Sequence, residues 1–595
     1  EMGLLTDPRA GTGKVIKFLL TWERPLSYLF YIGGVVWLLL LALPAFNDST
    51  YFSENALLPG LVTKESNLEH TSKQFYHELV REMKRYPSAM PYAWLSAKFN
   101  QLHLDVYVHN FSLIYPFQEQ KFTGQNIYGI VRAPRASSTE AIVVSVPFRP
   151  IHTIYHDTAP SVALLLAFAK FCRKQKYWAK DIIFLITEHE QLGMQAWLDA
   201  YHGVTSGQEG VLIPGDLSGR AGSIQAAINL EMHSIKVSSI DVKVEGLNGQ
   251  LPNLDLFNLA QNMIVKEGIR QSFQRRFDVN YKDKFKNWWY HFNTLSMMIA
   301  TQATGIPTGN HGLFHRFGIE AITLEGFEKT GYGSEGSFYQ VGRIVESIVR
   351  SLNNLLERFH QSYFFYLLPS TDTYISIGKY LCLRATCIFV ELFISCCRFI
   401  HKATSVDNYG CTINMIQFII AFRSTNYSNR ALVCVISSVE LATCLMCVAM
   451  HNFSLALLAA IVYVPAVLPT TPKHSSTSRW RFILYIIWII LHPFVLSSLI
   501  VLIYTYTNFS GDPFLTILLR GYRASKQAYV FGIMDSMIYG NWLYNITLTI
   551  MLPIWLLFWN ILSNVIVLQT SPRSFPKLQR RWTTIFKLSW ISTLN

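Results

Sequence analysis

The sequence predicts an α/β domain with a mainly parallel sheet covered by helices, joined to a polytopic α-helical membrane domain. Two observations predict this. Uncharged apolar windows sit near the N-terminus and again beyond residue 362, whereas residues 51–362 carry charges throughout. Within that middle stretch, short all-apolar runs rich in Val and Ile alternate with helix-period segments, the pattern of buried parallel strands interleaved with helices. At 595 residues and 50% hydrophobic, the chain is too long for one soluble domain and too apolar to be entirely soluble.

Residues 25–47 contain no charge and include YIGGVVWLLLLALPAF. At 1.5 Å rise per residue this window crosses a ~30 Å hydrocarbon core. A cleaved signal peptide carries a shorter apolar run, about 7–15 residues, so the window reads as a retained signal anchor. Arg9, Lys14, Lys17 and Arg24 precede it, and Asp48 and Glu54 follow. The positive-inside rule therefore makes residues 1–24 cytoplasmic and residues 48–362 lumenal or extracellular.

Farther on, 482–507 and 541–568 carry no Lys, Arg, Asp or Glu and each is long enough to cross. Residues 431–450 and 453–469 read as a hairpin of spans, and 374–397 as a less pure one. The stretches 411–422 and 526–539 are too short to be read as spans. A membrane domain of about five to seven helices over 363–570 is expected, giving six to eight spans in the chain, then a basic cytoplasmic tail at 571–595. The net charge of +13 gathers largely in clusters flanking these spans, and no acidic residue follows Asp535. That pattern suits anionic lipid rather than nucleic acid.

Only Cys172 of the nine cysteines lies in the middle domain, so no disulfide is possible within it. Of six N-x-S/T sequons, Asn47, Asn110 and Asn508 fall in segments this topology makes lumenal and clear of a span.

In chain order the middle domain opens with an amphipathic helix, TSKQFYHELVREM, with Thr71 as its candidate cap. EAIVVSVPF (140–148), DIIFLIT, IQAAINLEM (224–232) and IEAITLEG read as buried strands. SVALLLAFAKFC (161–172), QLGMQAWLDAYH, segments near 253–266 and 290–303, and a long run from Val341 read as helices. QRRFDVNYKDKFKNWWYHF (274–292) admits two readings, a segment resting on lipid with Trp288 and Trp289 at headgroup level, or a solvated loop leading into a core helix.

Ligands of parallel sheets sit beyond the carboxyl ends of the strands, and polar residues gather there. Pro147 and the stretch from His152 to Asp157 follow the first strand, Glu188, His189 and Glu190 the second, Glu231 and His233 the third, and His311 precedes the last. Carboxylates to bridge two ions, imidazoles to complete the shells and one free carboxylate to deprotonate water are what a two-metal hydrolase needs.

These segments resemble the M28 zinc aminopeptidases. HDTAPSVALLLAFA looks like that family's metal-bridging aspartate segment, placing Asp157 there; FLITEHEQLG, aligned on its Leu-Gly, puts Glu188 at the metal-binding glutamate; NLEM puts Glu231, and GNHGLF puts His311, at ligand positions. Two departures matter. Pro147 replaces the first-strand histidine, and Thr187 stands where the general-base glutamate would be. A one-residue shift would recruit Glu190 instead, but the Leu-Gly spacing argues against it. The resemblance thus implies a degenerate site that requires no cofactor and could hold at most one zinc.

A broader resemblance, carried by LLPG, YWAKDIIFLITEHEQLGMQAWLDAYH, NHGLF and the polytopic C-terminal half, is to the GPI-anchor attachment protein family. It implies a non-catalytic, multi-pass subunit of the endoplasmic-reticulum GPI transamidase with both termini cytoplasmic. Its implied partners are the other subunits, among them a caspase-like cysteine protease that carries the catalytic Cys and His, together with the GPI lipid and a proprotein bearing a C-terminal GPI signal. A membrane-anchored M28-type metallopeptidase or a metal-assisted amide synthetase is the alternative.

Overall fold

A computed structural model describes residues 18, 21–57, 64–115, 120–134, 139–151, 153, 155–277, 282–328, 336–380, 427–469, 478–508, 513–543 and 550–567. The proposed span 374–397 beyond residue 380, the stretch 411–422, Asn545 and the basic tail lie outside them.

In chain order the strands are β1 (Asp48–Ser49), β2 (Asp105–Ile114), β3 (Lys121–Val131), β4 (Glu140–Pro147), β5 (Asp181–Thr187), β6 (Leu212–Ile213), β7 (Ser223–Met232), β8 (Ser239–Lys243), β9 (Arg270–Ser272), β10 (Glu320–Phe327), β11 (Tyr366–Leu367) and β12 (Thr373–Ser376). The helices up to the end of the α/β domain are α1 (Glu23–Leu41), α2 (Glu69–Arg85), α3 (Tyr92–Gln101), α4 (Ala159–Lys174), α5 (Gln191–His202), α6 (Leu254–Lys266), α7 (Lys284–Thr304), α8 (His311–Phe314) and α9 (Phe338–Asn353). Beyond it come α10 (Tyr427–His451), α11 (Phe453–Val467), α12 (Ser478–Ile490), α13 (Pro493–Asn508), α14 (Phe514–Tyr539) and α15 (Leu552–Val567).

Nine strands form one sheet in the order β6-β2-β3-β5-β4-β7-β10-β8-β9. β5, β4, β7 and β10 run parallel at its centre. The flanks differ from the expected mainly parallel sheet: β6, β2 and β3 join antiparallel on one side and β8 antiparallel on the other, so the sheet is mixed. The central strands are buried along almost their whole length, as both-face coverage by α4, α9 and α5 requires. Helix α2 starts at Glu69, which places Thr71 inside it rather than at its cap; its buried stripe is Ser72, Phe75, Leu79 and Met83. By contrast, α6 and α9 begin at side-chain caps, Asn253 and the Ser337–Gln340 capping box.

β1 pairs antiparallel with β12, so the chain enters and leaves this domain at one place, and the domain continues past residue 362 to Ser376. The helical region docks beneath it. Asn452 Nδ2 donates to the Gln302 carbonyl at 2.8 Å, Ser454 Oγ to Gln302 Oε1 at 2.6 Å, and the Gln208 N–H to the Met537 carbonyl at 2.7 Å.

Among the described residues no single helix is long and apolar enough to cross a membrane; Phe482–Ile490 and Pro493–Ile503 pass together as a pair bent by 71°. The bend falls at Pro493, whose ring and missing N–H break the ladder. The expected window 25–47 is helical only to Leu41, where a short 3-10 turn at Pro44–Phe46 takes over. Residues 526–539 belong to the 26-residue helix α14, whose Arg520, Arg523, Lys526 and Asp535 interrupt the apolar run that would have announced it.

Candidate functional site: a cleft closed by ion pairs

Parallel strands β4, β5 and β7 end side by side. Pro147 lies in register with Thr187, and Thr187 is fully buried with its hydroxyl accepting from Asn310 Nδ2 at 3.3 Å. Two residues beyond Pro147, Arg149 turns inward. Its Nε donates to Glu190 Oε1 at 3.1 Å and its Nη2 to Glu231 Oε2 at 3.2 Å. The guanidinium is thus clamped between carboxylates from the ends of two strands, and it also lies over the Tyr155 ring. Burial favours losing the Arg149 proton, but Glu231 and Glu190 outweigh it and hold the group charged.

Deeper in the cleft, Lys243 Nζ lies 3.1 Å from Glu325 and 3.5 Å from Glu231. His233 Nε2 lies 3.2 Å and Arg275 Nη2 3.3 Å from Glu325 Oε1. Burial would raise the Glu325 carboxyl; the His233 hydrogen bond and the Lys243 and Arg275 charges overcome that and pull it down to about 2. Three carboxylates, Glu190, Glu231 and Glu325, therefore meet three cations, Arg149, Lys243 and Arg275.

The turn after β5 decides which carboxylate enters. His189 and Glu190 both have positive φ, 55° and 51°, a conformation that costs non-glycine residues about 1–3 kcal/mol. Asn126 holds the turn, accepting from the Glu188 N–H at 3.0 Å and donating to the Gly193 carbonyl at 2.8 Å. A Cβ on Gly193 would stand 2.1 Å from the Glu188 carbonyl, so α5 approaches this closely only with glycine there. The twist sends Glu190 to Arg149. Glu188 goes elsewhere: its Oε2 accepts the Gln125 N–H at 2.8 Å, in a groove of about 610 Å³ lined also by Tyr92, Asn110 and Ile213.

The four residues expected to hold a metal are therefore not brought together. Glu188 faces away, and Glu190, which the Leu-Gly spacing disfavoured, takes the inward position. Asp157, two residues before the start of α4, accepts the Ala159 N–H at 2.8 Å, and burial raises its carboxyl. His311 is fully buried, and burial holds it well below the usual imidazole range; its Nδ1 lies 2.7 Å from the Thr323 hydroxyl. Among the described residues the group that does converge is Glu231, His233 and Glu325, offering ligand atoms within 4.8 Å of one another. This set does not fit a zinc ion, because Arg149, Lys243 and Arg275 already bond its carboxylates. Sequence reasoning missed Arg149, Lys243 and Glu325. The available signal was a basic residue two positions past one of the strands whose carboxyl ends converge.

Cys172 is buried, and burial pushes its thiol up, which disqualifies it as a nucleophile. In the helical region Glu440 lines a cavity of about 730 Å³ with Cys444, Cys447, His451, Trp542 and Pro553. His492 is packed edge-on against Trp555, with ring centroids 4.4 Å apart.

Fold and cleft together define a class: an α/β domain whose strand-end cleft is closed by its own ion pairs, set on a helical region. The chain belongs to the family described as Gaa1-like, GPI transamidase component, which it matches over residues 123–409 and 399–559. It is 29% identical over 407 residues to the GPI transamidase component GAA1 of Saccharomyces cerevisiae, covering 67% of this chain and 61% of that one. Against the GPI transamidase component gaa1 of Schizosaccharomyces pombe it is 31% identical over 368 residues, covering 58% and 59%. The chain thus spans about three-fifths of the length of these relatives. Among solved structures, it is similar to BSAP, a zinc aminopeptidase from Bacillus subtilis, at 11% identity and a TM-score of 0.31 over 50% of this chain and 99% of that one. A Porphyromonas gingivalis glutaminyl cyclase matches at 15% identity and a TM-score of 0.29 over 49% and 96%.

Proposed function

We propose that the chain is a non-catalytic subunit of the GPI transamidase of the endoplasmic-reticulum membrane. In this reading the α/β domain scaffolds the complex on the lumenal side and helps present the proprotein, while the helical region lies in the bilayer and helps bind the GPI lipid. Membership of the Gaa1-like family supports the complex. The observation that carries the non-catalytic part is Arg149, whose guanidinium sits between Glu190 and Glu231 at the cleft's centre. A fixed cation there repels metal ions and bonds the carboxylates that would hold them. Thr187 stands at the base position, Cys172 is buried, and Glu190 and Glu231 are tied to Arg149, which weakens them as general bases for cleaving an amide. No cofactor is required, because Arg149 and Lys243 supply the positive charge.

The cavity beside Glu440 supports a lipid-facing role for the helices, its size and mixed polar and apolar lining suiting part of a lipid. Asn47 and Asn110 are glycosylation candidates under the same topology, and Asn508 closes α13. Purification of the tagged full chain from solubilised membranes tests the assignment. A caspase-like cysteine protease subunit is expected to co-purify with it; an intact, active preparation that lacks such a subunit would contradict the proposal.

A further inference from the structure

Helix α7, Lys284–Thr304, is 21 residues long, about 30 Å at 1.5 Å per residue. Its buried face, Tyr290, Thr294, Leu295, Met298, Ile299 and Gln302, packs onto the α/β domain and against α11 of the helical region. The opposite face is open and carries large apolar side chains among small and polar ones: Phe285 is 67% exposed, Trp289 49% and Met297 46%, with Asn293 and Ser296 between the last two, and Ile306 just past the helix is 49% exposed. Residues 285, 289, 293 and 297 follow at four-residue spacing, so Phe285, Trp289 and Met297 share one row, interrupted by Asn293. A stripe of this kind facing water is unfavourable, and it marks a surface that something covers.

The helix ends say what covers it. At the N-terminal end Trp288 Nε1 donates to the carbonyl of Leu39, in the last turn of the apolar helix α1. At the C-terminal end Gln302 bonds Asn452 and Ser454 at the turn between α10 and α11, and Gly305 meets Asn541 and Leu543 just past α14. Both ends therefore sit at the level where the apolar helices meet the α/β domain. Under the membrane reading above, on which this inference rests, that level is the headgroup layer.

Charge points the same way. Lys282, Lys284 and Lys286 crowd the N-terminus of α7, with Asp283 as its cap. Cations at a helix N-terminus are unfavourable against the macrodipole, and among the described residues none of the three lysines is in an ion pair. Phosphate oxygens would relieve them. Trp288, Trp289 and Phe292 cluster beside them, with Trp288 stacked on Phe292 at 5.5 Å, in the arrangement of interfacial aromatic belts.

We propose that α7 lies flat in the phospholipid headgroup layer of the chain's own bilayer, with Phe285, Trp289 and Met297 toward the acyl chains and the lysines against lipid phosphates. It would hold the cleft-bearing domain at a fixed height and tilt above the membrane.

The test places a photo-crosslinking residue, one at a time, at positions 289, 297, 356 and 500 of the full chain in phosphatidylcholine proteoliposomes, and reads lipid adducts by mass. Leu356, 89% exposed on the α/β domain, is the negative control, and Ile500, 60% exposed in the bent helix pair, is the membrane control. The expected result is lipid adducts at 289, 297 and 500 and none at 356. Adducts at 500 with none at 289 and 297, cross-links from 289 and 297 to protein instead, or equal labelling at 356 would each overturn the proposal while leaving the membrane reading in place. Absence of adducts at 500 would overturn the membrane reading itself, and this inference with it.

Discussion

Glu188 and Glu190 lie two residues apart in one turn, yet they end in different surroundings. Glu190 enters a cleft where every carboxylate has a basic partner; Glu188 lies in an open groove, held by the Gln125 backbone N–H. The difference teaches that ligand-type residues retained in a motif say little about a site until the turn that aims them is known. It also separates structural weight. The cleft's charges are mutually dependent, because each desolvated carboxylate needs its cation, while the groove's carboxylate can be hydrated.

Removing the shared cation should separate the two regions most. Arg149→Ala leaves Glu190 and Glu231 without their guanidinium, and a loss of about 3–5 kcal/mol is expected in denaturant unfolding of the purified chain. Adding Glu231→Gln should return part of that loss, because the pair's energies are not additive. A loss below about 1 kcal/mol for Arg149→Ala would mean that the cleft is wetter than the described packing.

The acid limb sharpens the comparison next. Glu325 titrates at about 2 in the fold against an ordinary 4.5, so its contribution is present above about pH 4.5 and lost as pH falls toward 2. On the order of 3 kcal/mol is expected across that window, and Glu325→Gln should flatten it. A Glu325→Gln profile that keeps the full acid limb would place the loss in other carboxylates.

Gly193→Ala should follow. Its Cβ meets the Glu188 carbonyl, so the turn that aims both glutamates must shift, for an expected loss of about 1–3 kcal/mol by thermal unfolding. Glu188→Gln should do least, within about 0.5 kcal/mol, since an amide oxygen can still accept the Gln125 N–H at this partly exposed site.

How much of this the sequence carried differs from element to element. β4, β5, β7 and β10 were legible because both faces are buried and charge enters their runs only at or near the ends. β2 and β3 were not, since the former alternates buried and exposed positions and both carry polar residues such as His109 and Asn126 in a run that does not stand out. Helix α14 was hidden by its own charged residues. The place of the cleft was legible from the polar residues at strand ends, but its contents were not. No composition signal gives His189 and Glu190 positive φ, and that backbone twist, with Asn126 as its brace, reverses which glutamate faces inward.

The most direct measurement is complementation by a charge-neutral cleft. In cells lacking the native protein, the triple variant Arg149→Met, Glu190→Gln, Glu231→Gln removes the central cation with both its carboxylates, an exchange that tends to be near neutral for folding. Surface display of a GPI-anchored reporter is read alongside the variant's unfolding temperature. A folded variant that restores display to the wild-type level is expected; a folded variant that fails to restore it would show that the cleft performs chemistry of its own.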